Sequence, residues 1–588
     1  MIGSTLQKQM SRARSNTARP LALFLAFSVL ANGLYFPKEW IFFGFALSGY
    51  ILLSYSYQRF KLDKGIVSPF GLTDALLMGM FFLSILGVLH PVKVKDGLIE
   101  ALSWGTFWLV YRLGTHISRD ETAKEYLVRS IGWLSIIVAI VGWLPWVSKV
   151  AGRLSSVFGY SNATAAFLGA ALLLYSQSVP VKVFLGISLL STGSRAGVGL
   201  FLVLFGGQQL LFWLRYHRTS PIVATRQRLL TGLGVILLGV AGIVFMLLYY
   251  RLALKNLTAW SFMSSSWQER LAYFKDGINL AWQARGYPRA GGWMAFPTVQ
   301  HVPYWTADPH SSFIHVLLNQ GIIGILCLGI WGCYLLGYLW RTRKRRSQVQ
   351  VRVGGALLFL ILHSLVDADF SFGSLGLLFW MLFGSFQFRD ECPSPLLFKW
   401  NRFVVNLSSK GVLGLSLILC LACGSTLINP SLLEKEKSWN IQARYWSEQD
   451  PDKTRVLWDR SLNWDQTQIA ARREQAESIL KQGNIESGMK AVEEVLHWQS
   501  LDLEAYEWAQ SVVWDAAEVQ RKTQSKTAIT LYRWIEGVPQ KIGEKVNNLS
   551  FTERLLWKNY SSFLPSEHIK LLADYARQRQ LTQPPPRT

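Results

Sequence analysis

Three side chains set the terms for any chemistry this chain performs: Arg195, Arg270 and His310. Arg195 stands in Ser194-Arg195-Ala196-Gly197, where one apolar run ends and the next begins. Backbone N–H groups at a helix start attract anions, and a guanidinium adds a planar fork that matches phosphate. Gly193 and Gly197 permit a close turn around it. The other reading is an interfacial arginine that snorkels to lipid headgroups. Arg270 precedes apolar residues at Leu271, Phe274 and Ile278, a helical period that would lay the segment along a surface. From there it can reach a diphosphate, or it can pair with Glu269 or another acid. His310 follows Asp308-Pro309 and precedes Ser311-Ser312, serines suited to capping a helix N-terminus. A helix start disfavours imidazolium, and neutral imidazole can take a proton from a hydroxyl. Its alternative is a histidine that only caps the helix or touches headgroups. His301 and His315 are weaker candidates.

Further polar groups sit near these three in the sequence. Arg153 and Asn162 bracket the turn Ser155–Tyr160. With Gly291 and Gly292 of a glycine-rich turn they are candidate lining for a glycan or lipid site. The Ser155–Tyr160 turn serves equally as an interfacial anchor. Asp367 and Asp369 lie where two apolar runs meet; paired carboxylates can serve as acid and base or hold a metal, but structural pairing with an outer arginine is their expected role.

The elements that must position these residues are membrane spans. Half of the 588 residues are hydrophobic and 16% are charged, below the usual quarter for soluble domains. Apolar runs near the bilayer-crossing length recur from Pro20 to Ile428. The sequence therefore predicts an all-α polytopic membrane protein with about thirteen transmembrane helices. A short seventh run lies at 180–192, a ninth at 229–250 and a single long one at 312–340. The basic N-terminal segment, residues 1–19, is read as preceding an uncleaved first span. The transmembrane domain covers 20–428 and includes an external loop at 251–311.

Charge sets direction. The net charge is +23, and all of the excess lies before Leu432. The basic stretches Arg119–Arg129, Arg215–Arg228 and Arg341–Arg346 alternate with base-poor loops at Thr192–Arg195 and Asp367–Asp369. By the positive-inside rule the N-terminus is inside, and the long loop and the tail are outside. Bases between spans serve orientation, so no nucleic acid is expected as a partner. The five cysteines predict neither disulfide nor metal site.

The tail, 429–580, is soluble in composition. Small and apolar residues at helical spacing around Gly483-Asn484 suggest stacked helix pairs of tetratricopeptide type. A non-repeating helical domain fits as well. Residues 581–588 are rich in proline and are expected to be disordered.

The motifs together resemble a known family. Arg153-x4-Phe158-Gly159-x2-Asn162, then Thr192-Gly-Ser-Arg195-Ala-Gly197, then Arg270 ahead of the glycine-rich turn, then His310-x2-Phe313-x4-Leu318-x2-Gly321-x2-Gly324, occur in the order found in the O-antigen ligase superfamily. That superfamily includes O-antigen ligases, Wzy-type polymerases and some protein O-oligosaccharyltransferases. The resemblance covers roughly residues 20–390 and includes Trp380. It implies transfer of a glycan from a polyprenyl-diphosphate carrier to a glycan, lipid or protein hydroxyl. The reaction would occur at the outer face of a bacterial cytoplasmic membrane, without cofactor or required metal. It implies that Arg195 and Arg270 hold the diphosphate, and that His310 is the base or orients the acceptor. Ser311 departs from the Asn often found after the histidine. The tail lies outside the resemblance; recruitment of envelope proteins is one role for it. A different class of function, transport of lipid-linked sugars, places binding groups at mid-membrane in repeated halves, and no such repeat is visible.

Overall fold

The computed structural model describes residues 18–61, 70–118, 120–147, 149, 152–174, 178–216, 265–342, 347–386, 397–522, 525–557 and 563–581. Within them every regular element is a helix, and the β-pairing is a single bridge between Lys93 and Asp465. The ninth expected span, at 229–250, the first part of the long loop and the proline-rich C-terminus lie outside the described residues.

Apolar helices stand at several of the predicted hydrophobic runs. Three combine the length and hydropathy needed to cross a bilayer: Glu121–Trp143, Arg195–Phe212 and Lys410–Ile428. Shorter apolar helices pack among them, including Leu72–Gly87, Ser161–Leu174, Val179–Ser191, Gln348–Ser364 and Gly373–Ser385. Their outward faces expose Leu23, Trp133, Leu336 and Leu421, an apolar belt of the kind that helices present to lipid. Inside the bundle, glycines let backbones approach. A Cβ on Gly384 of Gly373–Ser385 would lie 2.4 Å from the Tyr111 carbonyl of the Val94–Ile117 helix.

The run at 312–340, expected as one span, is two helices, Ser312–Asn319 and Gly321–Thr342. The break is at Gly321, whose φ is 70°. A Cβ there would come 2.4 Å from the Gly286 carbonyl, which accepts instead from Ile322 N at 2.9 Å. Apolar residues continue through the break, so hydropathy alone does not mark it. Ser311 caps the first of the two helices, accepting from Ile314 N at 3.4 Å, as its position before the apolar run requires.

The described part of the long loop begins with the Ser265–Gln283 helix and ends at Ser311. Tyr273, Trp293, Phe296 and Tyr304 from the loop form one buried cluster with Trp498 and Leu556 from the tail. Polar ties reinforce it: Gln466 N donates to the Val92 carbonyl at 2.8 Å, and Lys275 meets Glu553 at 2.8 Å. Loop and tail therefore share a core on one end of the bundle.

The tail contains three successive helix pairs: Lys435–Trp446 with Pro451–Trp464, Ile469–Lys481 with Ile485–Trp498, and Leu503–Arg521 with Ser525–Asn547. Their first helices start 34 residues apart, the period of tetratricopeptide pairs. Ala443, Ala476 and Ala509, one in each first helix, are fully buried.

Candidate functional site

Asp367 is the hub of a polar cluster drawn from separate stretches of chain. It lies in the turn between Gln348–Ser364 and Gly373–Ser385, and its side chain is 1% exposed. Tyr160 donates its hydroxyl to Oδ1 at 2.7 Å, and Arg270 donates from Nη2 to Oδ2 at 2.7 Å. Asn162 donates to Oδ2 as well, and the Ala368 N–H reaches Oδ1 at 2.9 Å. The Nδ1 atom of His310 lies 3.7 Å from Oδ1 and 3.4 Å from the Tyr160 hydroxyl. His310 adopts a left-handed φ of 50° just ahead of the Ser311 cap, and its ring stacks on Tyr273 at 5.5 Å. A non-glycine residue held in that region is strained; here the Tyr273 stack and the Ser311 cap fix it on either side.

A second layer extends from Asn162. Arg153 donates to Asn162 Oδ1 at 2.7 Å and to the Thr192 carbonyl at 2.8 Å. The turn after Thr192 runs through Gly193, whose φ is 62° and where a Cβ would meet Arg153 Nε at 3.2 Å. The sequence reading of a close glycine turn thus has a structural cause. Ser194 follows, with Oγ 3.4 Å from His363 Nε2, while His363 Nδ1 lies 2.6 Å from Asp369. Arg195 comes next, exposed, as the first residue of Arg195–Tyr216.

The electrostatics follow from these contacts. Burial raises the Asp367 carboxyl, but the adjacent His310 imidazole, the Arg270 guanidinium and His363 outweigh it and hold the group down at about 2. Asp367 is therefore a carboxylate at neutral pH. Burial, followed by the Asp367 charge and hydrogen bond, pushes the Tyr160 phenol well above its ordinary value, so it stays a donor. With Nδ1 turned to Asp367 and Tyr160, His310 Nε2 is left without a hydrogen-bond partner among the described residues. Arg270 has Nη2 on Asp367, and Nε and Nη1 make no hydrogen bond among the described residues.

Beside this cluster lies an apolar cavity of about 770 Å³, walled by Trp40, Phe107, Trp331, Phe379 and Trp380. Cavities of this size hold drug-sized ligands. Its lining also includes the carboxyl groups of Asp96, Glu100 and Asp308 and the His315 imidazole, with His315 Nε2 at 3.1 Å from Glu100. The 308–313 segment separates cavity from cluster: Asp308, Ser312 and Phe313 line the cavity, whereas His310 contacts Tyr160 and Tyr273.

Of the residues singled out from sequence, His310, Arg270, Asn162 and Arg153 join one network, and Arg195 occupies the adjoining turn. Gly291 and Gly292 do not join it. Gly291 lines the cavity with a φ of 65°, and Gly292 N donates to Asn319 Oδ1 at 3.1 Å. Asp367, expected chiefly as a structural partner of an arginine, does pair with Arg270 and also accepts from Tyr160 and Asn162. Sequence reasoning placed Tyr160 only within a candidate lining turn and missed His363. The available signal was an ionisable or phenolic group at the edge of an apolar run. No family model matches this chain, and no curated protein matches it either.

Proposed function

We propose that this chain is a membrane-embedded glycosyltransferase that moves a glycan from polyprenyl diphosphate to an acceptor hydroxyl. The observation that carries this reading is the Asp367 network, which gathers His310, Arg270, Tyr160 and Asn162 beside a large apolar cavity. The motif order shared with the O-antigen ligase superfamily supports it.

Each group has a role that follows from its contacts. Asp367 orients the His310 ring and favours the imidazolium formed when Nε2 takes the acceptor proton, as in catalytic triads. The acceptor oxygen attacks the anomeric carbon. The bond from that carbon to the diphosphate oxygen breaks, and the electron pair leaves with polyprenyl diphosphate. One displacement inverts the anomeric centre. Arg270 bridges Asp367 and the diphosphate through its remaining donors, and Arg195 meets the same group from the neighbouring turn. Charge-assisted hydrogen bonds contribute about 1.5–3 kcal/mol each. The cavity takes the isoprenoid chain.

Sidedness has its own support. Arg195–Tyr216 starts beside the cluster and runs 22 residues, about 33 Å, toward the basic stretch at Arg215–Arg228; Gly321–Thr342, which follows the Ser312–Asn319 helix, likewise ends at the basic stretch Arg341–Arg346. The positive-inside rule then faces the cluster outward, within a bundle of about thirteen spans.

Disrupting the gene in its host and analysing envelope polymers tests the reading. Shortened chains identify a polymerase, and full-length chains left on the lipid carrier identify a ligase acting on lipid or protein. Unchanged polymers reject both.

A further inference from the structure

Loop and tail enclose a second hollow, of about 640 Å³. One wall is the far end of the Ser265–Gln283 helix with residues 298–301. The other is the Ile485–Trp498 helix, the turn after it and the end of Ser525–Asn547. The shared core and the bond from Trp557 Nε1 to the His301 carbonyl at 2.9 Å pin the walls together.

The lining is polar. Asn279, Gln283, Gln300 and Asn548 supply side-chain amides, and Trp282 presents an indole that is 85% exposed. Lys541 and Lys545 supply ammonium groups. Glu493 is the single carboxylate on the lining, and it already accepts from Lys541 at 2.5 Å and Trp534 at 2.7 Å. Lys545 is bonded to no carboxylate among the described residues. Burial and then the neighbouring Lys541 lower its pKa, so a second anion in the hollow would stabilise it.

These groups share one kind of ligand. Amides both donate to and accept from sugar hydroxyls. An exposed indole offers a flat apolar surface for a pyranose face, with a polar edge. Ammonium groups attract carboxylate or phosphate. We propose that the hollow binds an acidic oligosaccharide and holds the acceptor chain while its end is extended at His310. This rests on the glycosyl-transfer reading above. Trp282 and Arg270 lie on one helix, twelve residues apart, or about 18 Å along its axis. A chain seated on Trp282 has to span that distance to place its end at the Asp367 network. The tail, on this view, is a wall of the polymer site.

The test uses the full-length protein in detergent and fluorescence anisotropy of a labelled oligogalacturonate, with maltoheptaose and polyglutamate as competitors. The oligogalacturonate is expected to bind in a salt-sensitive manner. Trp282→Ala, at the surface, and Lys545→Gln, half-buried, are each expected to weaken it about tenfold or more. Maltoheptaose should compete poorly, and polyglutamate less well than oligogalacturonate. Absent binding, or binding unmoved by the Trp282→Ala/Lys545→Gln double variant, overturns the inference. Polyglutamate competing as well as the sugar also overturns it, in favour of a peptide site. The two readings fail separately. Normal transfer to a short acceptor without oligosaccharide binding sinks the hollow alone. Oligosaccharide binding by a wild-type protein that never forms a glycosidic bond sinks the transferase, and the acceptor role with it.

Discussion

Arg270 and Asp367 form an ion pair, Nη2 to Oδ2 at 2.7 Å, that ties the long loop to the turn between two bundle helices. The pair couples two tasks. It holds the loop against the bundle, and it brings a carboxylate to His310. Asp367→Asn keeps the shape and removes the charge. Transfer is expected to fall by about 10²- to 10⁴-fold, the range for disturbing an oriented general base. Asp367→Ala should also cost about 3–5 kcal/mol of stability, because it strands a partly buried guanidinium. Kinetics and thermal unfolding of the purified variants measure the two effects apart.

Replacing either candidate diphosphate arginine by lysine keeps the charge and loses the planar fork. Loss of one charge-assisted hydrogen bond in the transition state corresponds to about ten- to a hundredfold in kcat/KM. Arg195→Lys and Arg270→Lys should both fall in that range for the lipid-linked donor. Unchanged kinetics for Arg195→Lys would argue against its contact with the diphosphate.

Much of this arrangement was legible in the sequence, because hydropathy, capping and charge act locally. Ser311 reads as a cap from its place before an apolar run, and it is one. Gly193 reads as a tight turn, and its φ is 62°. What did not show were choices made by distant partners. Gly321 breaks a continuous apolar run because the Gly286 turn docks there. Asp367 becomes a hub because Tyr160, Asn162 and Arg270 converge on it from far along the chain. Spacing within one segment contains neither fact. Around Gly483 the sequence suggested helix pairs but fitted a non-repeating helical domain as well, whereas the 34-residue spacing emerges from helix starts at Lys435, Ile469 and Leu503.

The loop contains a built-in pH dependence. Asp276 is buried and accepts from the Tyr304 hydroxyl at 2.5 Å. Burial, the largest influence, raises its pKa to about 7 against the opposing effects of that hydrogen bond and Lys275. A carboxyl whose folded-state pKa lies above its unfolded value stabilises the fold at pH below the unfolded pKa. That contribution is lost as pH rises through the folded pKa. Stability should therefore decline between about pH 4 and 7, by up to a few kcal/mol at about 1.4 kcal/mol per unit. Asp276→Asn should flatten that decline and raise the melting temperature above pH 7. A variant whose melting curve still tracks the wild type across this window would refute the assignment.

The tail should matter to catalysis beyond any recruiting role. Trp498 and Leu556 complete the core under Tyr273, whose ring supports His310. Trp498→Ala is expected to cost about 3–5 kcal/mol and to increase protease sensitivity where the tail meets the loop. Truncation after Asn429 should abolish transfer. A truncated protein with full turnover would make the tail a separable module.

The most direct test is purified protein in liposomes loaded with a polyprenyl-diphosphate-linked glycan and an acceptor, assayed for new glycosidic bonds. Wild-type protein is expected to form them with inversion at the anomeric carbon. His310→Ala, folded and still able to bind donor, should form none. Wild-type turnover by His310→Ala, or movement of the lipid-linked glycan across the bilayer without any new bond, would contradict the proposed chemistry.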